Sequence, residues 1–190
     1  VGSKSITLSR VIGVISYSDA VTDLIRLISQ KYPCVKFTIF ETVLMNEFLN
    51  HLIAQNTVFI QVEKESSIYI FRFLQEQGFL NVMYKPSKED FNLYWSKDCF
   101  IVTDMISEAP LRTDKPHSIM LEKMLVDMSA DKLIAATYSK AEFTDIMEQA
   151  QRLYLLDKVR MMRYARRRNK HNEMLKYLER GKTEDENKKR

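Results

Sequence analysis

The sequence predicts an α/β fold: a mixed, mostly parallel four-stranded sheet with flanking helices, followed by an all-helical C-terminal part. Three observations support this prediction. Short β-branched and aromatic segments alternate with segments of helical periodicity up to about residue 105. Beyond "SEAPLRTDKPH" the apolar spacing is helical throughout. A hydrophobic content of 45% with 11% aromatic residues supplies a core, which excludes global disorder.

Four parts are predicted along the 190 residues. They are a short flap with alternating polarity (1–17), an α/β domain (18–136), a helical basic C-terminal region (137–181) and a disordered tail (182–190). The tail is assigned from its polar composition, which cannot bury a packed core.

The first helix and strand are read from "SDAVTDLIRLISQKY" and "CVKFTIFE". Ser18 is expected to cap the helix and Pro33 to end it, because serine oxygens accept backbone N–H bonds and proline cannot continue a helix. A second helix is predicted over "TVLMNEFLNHLIAQ", and a second strand over "NTVFIQVE".

The second half of the α/β domain repeats the alternation. "KESSIYIFRFLQEQG" is predicted as a helix closed by Gly78, since glycine adopts the left-handed C-terminal cap without strain. "LNVMY" and "DCFIVTDM" are predicted strands. Between them, "PSKEDFNLYW" begins with a proline and two carboxylates, which is typical of a helix start.

The C-terminal helices are marked by their caps. Ser118 is expected to start a helix over "IMLEKMLVDMSADKLIAA", and Ser139 with Glu142 forms an S-x-x-E capping-box pattern. Asp157 is expected to cap the next, arginine-rich helix. A last amphipathic segment is expected to end at Gly181.

Charge is unevenly distributed along the chain. Residues 159–190 contain twelve Lys/Arg and five Asp/Glu, a net charge of +7, whereas residues 1–158 carry −3. No apolar run is long enough to span a bilayer and no signal-peptide pattern opens the chain. Cys34 and Cys99 lack metal-ligand spacing, so both are predicted to be buried thiols of a cytoplasmic protein.

The arginine-rich helix is the main candidate site. Its cations recur at steps of three or four residues, which places them on one side of a helix, and guanidinium groups suit phosphate geometry. Val159, Met162 and Ala165 are expected to face inward. The candidate nucleic-acid or polyanion-binding residues are Arg160, Arg163, Tyr164, Arg167, Arg168 and Lys170, with Tyr164 offering a stacking face. An acidic protein partner, or a solvated helix paired with its own carboxylates, are the alternatives.

A nuclease-like alternative uses carboxylates at the ends of the first two strands. Glu41 ends one strand and Glu63 the next, and a hard cation prefers such oxygen ligands. The strand "FIQVEKE" places Gln61 and Glu63 on one face but Lys64 on the other, unlike the [D/E]-x-K pattern of metal-dependent nucleases. A degenerate nuclease domain is therefore one alternative, and a purely structural interaction module is another.

No metal or cofactor site is predicted. Glu47 and His51 lie four residues apart on the predicted second helix, but neither His117 nor His171 offers an obvious third ligand. Four glycines provide no phosphate-cradling loop, and no Ser/His/Asp or Cys/His signature is present.

Charged residues interrupt the apolar helix that contains "LEKMLVDMSADK". Lys123 precedes Asp127 by four residues, so the two are expected to pair. The helix is predicted to pack on the sheet with these charges, Glu122 included, on a salt-bridged rim.

Five segments occur in an order that resembles a bacterial family related to AbiEi, the antitoxin and autorepressor half of the AbiE abortive-infection toxin–antitoxin systems. They are "MNEFLNH", "VEKE", "SEAPL", "LEKMLVDMSADK" and "RYARRRNK", and the resemblance covers roughly residues 30–172. The fourth segment and "RYARRR" are the most specific. The matching positions are Glu122, Lys123 and Asp127 in one motif and Arg163, Tyr164, Arg167 and Arg168 in the other.

The resemblance implies a non-enzymatic α/β domain that neutralises a nucleotidyltransferase toxin, without implying direct contact with it. It also implies a winged-helix DNA-binding domain before this region, of which "VGSKSITLS" resembles the end of the wing. The sequence therefore predicts an AbiEi-like antitoxin or regulator that acts through a basic helix on nucleic acid or an acidic partner.

Overall fold

The computed structural model describes residues 16–49 and 51–187, the last eight of them as backbone. The four strands are β1 (Phe37–Glu41), β2 (Thr57–Val62), β3 (Val82–Tyr84) and β4 (Cys99–Asp104). The seven α-helices in this part of the chain are α1 (Asp19–Lys31), α2 (Ser67–Glu76), α3 (Lys88–Tyr94), α4 (Leu121–Ala130), α5 (Phe143–Leu153), α6 (Lys158–Arg167) and α7 (His171–Asn187).

The strands form one mixed sheet in the order β1-β2-β4-β3. β2 and β3 both run parallel to β4, whereas β1 is antiparallel to β2, with Phe37 opposite Val62 and Glu41 opposite Val58. The predicted fold class, a mostly parallel four-stranded sheet followed by helices, is confirmed. The antiparallel pairing of β1 with β2 brings the start of β1 to the edge at which the three parallel strands end.

Two apolar layers cover the two faces of the sheet. α1 and α2 pack on one face through Val21, Leu24, Ile28, Ile70 and Leu74. On the other face, one cluster holds side chains from α3 and from α4 to α7. Because successive strand residues point to opposite faces, Ile60 joins the first layer and Phe59 the second. The helices predicted as a separate C-terminal part thus share a core with the α/β part.

Most predicted helix signals on α1 to α3 and α6 are confirmed. The Ser18 side chain accepts a hydrogen bond from the Val21 amide, and the Asp157 side chain accepts one from the Arg160 amide. Gly78 follows α2 with φ +86°. Glu89 and Asp90 occupy the first turn of α3, and Ser87 caps that helix. Short polar side chains at these positions satisfy amides that have no partner within the helix.

The predicted helix over residues 42–55 is wrong, because only a short 3-10 helix, Thr42–Glu47, forms there. The Asn46 side chain forms two hydrogen bonds with the Ile53 backbone. Its oxygen accepts from the Ile53 amide at 2.7 Å, and its nitrogen donates to the Ile53 carbonyl at 3.1 Å. An asparagine side chain that bonds nearby backbone in this way competes with helix formation.

Three other predicted boundaries are wrong. α4 begins at Leu121, because Ser118 lies in an extended bridge opposite Ile39. The Ser139 side chain makes no capping hydrogen bond, since a 3-10 turn precedes α5. α7 continues through Gly181 to Asn187, so most of the predicted disordered tail is helical backbone.

Two predicted parts of the chain fall wholly or mostly outside the described residues. They are the last three residues of the predicted tail (188–190) and most of the predicted flap (1–17).

Cys34 is exposed and Cys99 is buried, so the prediction of two buried thiols is wrong for Cys34. Within residues 16–49 and 51–187, no helix is both long and apolar enough to cross a bilayer.

Candidate nucleic-acid interface

α6 begins where two carboxylates fix the chain. Asp157 caps the helix through its side chain, and its own amide donates to Glu122 Oε1 of α4 at 2.8 Å. Glu122 is buried, and this bond ties the start of α6 to the helix that packs beneath it. The orientation of α6 about its axis is thereby set by buried contacts.

The two sides of α6 have opposite characters. Met161, Tyr164 and Ala165 are buried in the core. Arg160, Arg163, Arg166 and Arg167 are exposed, and we call these four residues the arginine face. At 3.6 residues per turn the four positions span an arc of about 120°. Three of the predicted cations, Arg160, Arg163 and Arg167, therefore lie on one side of the helix, and Arg166, which the prediction did not include, joins them.

The inward side of α6 differs from the prediction in two residues. Val159 is 83% exposed and Met162 is only partly buried, whereas Ala165 is buried as expected. The inward stripe is displaced because Tyr164 and Met161, not Val159, lie over α4. The predicted use of Tyr164 as a stacking platform is wrong, since its side chain is 1% exposed.

Residues of the arginine face hold weak surface partners. Arg163 Nε lies 3.1 Å from Glu108 Oε2, with the arginine side chain 74% exposed. Arg160 Nε lies 3.4 Å from Asp157 Oδ2, and Arg167 Nε donates to Ser107 Oγ at 2.5 Å. Exposed ion pairs contribute about 0–1 kcal/mol, so phosphate oxygens can replace these partners at little cost.

Arg168 and Lys170 do not belong to the arginine face, contrary to the prediction. Arg168 is 12% exposed, and its guanidinium lies 3.5 Å from Asp127 and 3.6 Å from Asp131. Lys170 lies between α6 and α7, half-buried, with its ammonium 2.6 Å from Glu173. Burial alone would raise the pKa of Glu173, but its bonds with Lys170 and Ser129 lower the pKa below its usual value.

A cluster of buried polar side chains joins α4 and α6 to the sheet. The Lys123 ammonium donates to Asp127 and to Gln61 of β2, and both charged residues are completely buried. Tyr164 Oη donates to Asp127 Oδ1 at 2.8 Å. We call Gln61, Lys123, Asp127, Tyr164 and Arg168 the buried charge cluster. Burial, and then the Asp127 charge, raises the pKa of Tyr164, so its hydroxyl stays protonated.

This cluster confirms the pairing of Lys123 with Asp127 but corrects its location. The prediction places these two residues and Glu122 on a salt-bridged rim of the helix, whereas all three are buried. The reason is that α4 is enclosed, with sheet on one side and α6 on the other, so even its polar side lacks solvent. Gln61, which sequence reasoning treated as a poor metal ligand, points to α4 and supplies the neutral partner that this pair needs.

A cleft of about 460 Å³ opens beside the arginine face, at the ends of β2 and β4. Lys64 and Arg167 line it together with Glu63, Asp104 and Glu108. We call this the strand-end cleft. In open α/β sheets the crevice outside the carboxyl ends of parallel strands is a frequent ligand-binding location. Sequence reasoning missed this cleft, although the polar residues that follow each predicted strand were a usable signal.

The backbone around the strand-end cleft is strained. Glu65, Lys85 and Glu108, which follow β2, β3 and β4, all have positive φ. Non-glycine residues in this conformation cluster at functional sites. Lys85 lies 2.7 Å from Asp104; burial alone would raise the pKa of Asp104, but the Lys85 ammonium and the Ser67 hydroxyl lower it, so the carboxylate stays charged.

The structure separates the two carboxylates on which the nuclease alternative relied. Glu41 and Glu63 lie at opposite ends of the antiparallel β1-β2 pair, about 17 Å apart along the strand. Glu41 is completely buried, and its carboxylate accepts hydrogen bonds from the Ser18 amide, the Ser18 hydroxyl and Asn56. One cation holds its oxygen ligands within about 2.6 Å, so these two carboxylates cannot share a metal.

The Glu47 and His51 pair is also separated. His51 Nδ1 lies 2.9 Å from Glu142, and Glu47 accepts a hydrogen bond from Tyr154. Among the residues that the structure describes, no group of three or more His, Cys, Asp or Glu is placed to hold a metal ion.

Comparison with protein-family models gives a match over most of the chain. A family model described as "Family of unknown function (DUF6577)" matches residues 14–184, which includes the sheet, the arginine face and the buried charge cluster. No curated protein and no solved structure matches the chain.

Proposed function

This chain belongs to the DUF6577 family, whose function is unknown, and we propose that it is a non-enzymatic regulator that binds the phosphate backbone of nucleic acid through α6. The observation that carries the proposal is the exposure of four arginines on one arc of that helix. Guanidinium groups bind phosphate oxygens with two parallel hydrogen bonds, and a row of them suits a polyanion.

Burial on the opposite side of α6 supports the proposal. Met161, Tyr164 and Ala165 hold the helix against the core, and the Tyr164 bond to Asp127 fixes its rotation. The backbone of a helix fixed in this way needs no ordering when phosphate binds, which lowers the entropic cost of association. The arginines themselves keep mobile, exposed side chains that can adapt to the spacing of phosphates.

The strand-end cleft adjoins the arginine face and has mixed charge, because Glu63, Asp104 and Glu108 line it together with two cations. Arg167 lines the cleft and also belongs to the arginine face, and Lys64 lies in the same cleft. Arg163 and Arg167 contact Glu108 and Ser107, which are on the loop that follows β4. A backbone bound along α6 would therefore pass beside the cleft, where Lys64 is a fifth cation.

The AbiEi-like resemblance supplies the biological role in the proposal. In that role the protein acts in the cytoplasm of a bacterium as the antitoxin of a nucleotidyltransferase toxin, with nucleic acid as its direct partner. Growth of cells that express such a toxin, with and without this chain, tests the role. Restored growth supports the role. If the toxin is the nucleotidyltransferase encoded by the neighbouring gene and its toxicity is unchanged by this chain, the role is contradicted.

The direct test is binding of fluorescent duplex DNA, measured by anisotropy over a range of salt concentrations. With about four phosphate contacts, the logarithm of affinity should fall with the logarithm of salt at a slope of about −3 to −4. Replacing Arg163, Arg166 and Arg167 together with glutamine should make the slope shallower by about 2 to 3.

The matched control removes the same charge from the other face of the sheet. Arg26, Lys31 and Arg72 are exposed on α1 and α2, and their triple glutamine variant should keep the wild-type slope. If both triple variants made the salt slope of DNA binding shallower by the same amount, only the net charge of the protein would matter for binding. No DNA binding, together with capture of an acidic protein by the arginine face, would replace nucleic acid with a protein partner.

A further inference from the structure

The strand-end cleft lies where the chain leaves the sheet on opposite sides. The connection after β2 leads to α2, which packs on the same face as α1, whereas the connection after β4 leads to α4 on the other face. β2 and β4 are adjacent and parallel, so a crevice opens between their carboxyl ends. In open α/β sheets such a topological switch point is the common location of a ligand. The cleft of about 460 Å³ lies there, and its volume suits a small organic molecule.

Two of the three carboxylates that line the cleft are paired with cations that do not line it. Lys85 lies 2.7 Å from Asp104, and Arg163 lies 3.1 Å from Glu108. Glu63 differs, because its Oε1 accepts a hydrogen bond from a backbone amide at 3.1 Å and no cation is paired with it among the described residues. Glu63 is therefore the carboxylate that remains to accept hydrogen bonds from a ligand.

The two cations that line the cleft have no carboxylate partner in the described part of the chain. Neither Lys64 nor Arg167 belongs to its ion pairs, and Arg167 Nε donates to the Ser107 hydroxyl. The Lys64 ammonium and the other N–H groups of the guanidinium can therefore bind phosphate oxygens. With the two ion pairs included, four cations and three carboxylates surround the cleft, so its net charge is +1.

An apolar wall completes the cleft. Met105, Ile106, Ala109 and Leu111 line it from the loop after β4, and the middle two pack against the core. The Met105 amide donates to the Val62 carbonyl at 2.6 Å, which ties the start of this loop to the end of β2. The cleft thus combines two cations, one carboxylate without a cation and an apolar surface. A nucleotide matches these three features with its phosphate, its ribose hydroxyls and its base.

We infer that the strand-end cleft binds a ribonucleotide. Lys64 and Arg167 hold the phosphate, the ribose hydroxyls donate to Glu63, and the base lies against the apolar wall. The two hydroxyls of a ribose are O–H donors, and a carboxylate is an acceptor for both. The same chemistry occurs in a free 5′-mononucleotide and at the 3′ end of RNA. The inference goes beyond backbone binding by α6 and does not rest on it, since Glu63 and Lys64 lie outside the arginine face.

NMR amide shifts of the ¹⁵N-labelled full chain, titrated with AMP, GMP, CMP and UMP, test the inference. We expect saturable shifts centred on residues 63–65 and 104–109, with Kd on the order of 0.1 to 1 mM. The 2′,3′-dideoxy form of AMP lacks the hydroxyls and should bind at least about tenfold more weakly, the loss expected for a hydrogen bond to a charged acceptor. No saturable shifts with any of the four nucleotides, or equal binding of AMP and its dideoxy form, would overturn the inference.

Variants assign the two ends of the ligand. Glu63→Gln keeps an oxygen for the backbone amide and should reduce the preference for AMP over its dideoxy form to about twofold or less. Lys64→Gln should weaken AMP severalfold and leave adenosine, which has no phosphate, unchanged. Lys97→Gln is the matched control, because this exposed lysine precedes β4 at the opposite end of the strand. A full preference for AMP in Glu63→Gln, or equal losses in the two lysine variants, would contradict the assignment.

The source of the nucleotide is found with a ten-nucleotide single-stranded RNA and the same RNA ending in a 2′,3′-dideoxynucleotide. If the 3′ end of RNA is the ligand, the intact RNA should bind at least about tenfold more tightly than its dideoxy form. Equal binding of the two RNAs, with AMP still bound in the cleft, would assign the site to a free mononucleotide. If duplex DNA did not bind but AMP did, the proposed function would fail and this inference would stand.

Discussion

Arg167 and Arg168 are neighbours in the sequence and have opposite surroundings. Arg167 is exposed and donates to a serine hydroxyl at the rim of the strand-end cleft. Arg168 is nearly buried, against Asp127 and Asp131. A step of one residue turns the helix by about 100°, which is enough to carry a side chain from solvent into the core. The run of three arginines thus contains two kinds of cation, one available to a ligand and the other part of the fold.

The two kinds of cation differ in what their removal costs. A buried charge that loses its partner keeps its full desolvation penalty, whereas an exposed charge returns to water. Substitutions in the buried charge cluster should therefore lower stability more than substitutions in the arginine face. Substitutions in the arginine face should weaken nucleic-acid binding more than substitutions in the buried charge cluster.

The largest effect is expected at Lys123. Lys123→Met removes a completely buried ammonium and leaves Asp127 without its main partner, which should lower the free energy of unfolding by about 3–5 kcal/mol. Urea denaturation followed by circular dichroism measures this loss. The double variant Lys123→Met/Asp127→Asn, which removes both charges and keeps an acceptor for Tyr164 Oη, should recover part of it. A loss below about 1 kcal/mol in the single variant would show that the pair does not stabilise the core.

An intermediate effect is expected for the neighbouring arginines. Arg168→Gln leaves two carboxylates less well satisfied and should cost about 1–3 kcal/mol of stability, with the salt slope of DNA binding unchanged. Arg167→Gln should change stability by no more than about 0.5 kcal/mol and make that slope shallower by about one. Each variant controls for the other, because both remove one guanidinium at adjacent positions. If the two variants gave the same pattern, the distinction between the two faces of α6 would be wrong.

The smallest effect is expected at His117, a partly buried side chain without a charged partner in the described contacts. The His117 ring stacks on Phe37 with centroids 3.8 Å apart, and its Nδ1 lies 3.1 Å from the Phe37 carbonyl. Burial lowers the pKa of His117 below its ordinary value, and the bond to Phe37 only partly opposes this. The unfolded chain therefore binds the proton more readily than the folded chain. The contribution of His117 to the free energy of unfolding is complete above about pH 6.5 and is lost as the pH falls through the folded-state pKa.

His117→Asn removes the titrating ring at a position with positive φ, which asparagine tolerates. Urea midpoints measured between pH 7.5 and 5.5 should decline less steeply in this variant than in the wild type. His171→Asn, at a partly exposed position, is the control and should keep the wild-type decline. An unchanged pH dependence in His117→Asn would show that other groups cause it.

Local signals predicted much of the architecture because they act within a few residues. Ser18, Gly78 and Asp157 mark helix ends through bonds or backbone angles that depend only on the adjacent turn. The helix predicted over 42–55 failed for a local reason too, since Asn46 competes for the Ile53 backbone. The capping box at Ser139 failed for a tertiary reason, since Glu142 turns to His51, 91 positions away in the chain.

By itself, the sequence determined the alternation of strands and helices, the pairing of Lys123 with Asp127 and the gathering of arginines on one side of α6. Each of these depends on spacing along a single element, which the residue order sets. Only the tertiary structure decided that Tyr164 and Arg168 belong to the core, that Glu41 and Glu63 lie at opposite strand ends, and that a cleft opens where β2 and β4 end. Burial and strand direction arise from contacts between distant segments, and periodicity within one segment carries no information about them.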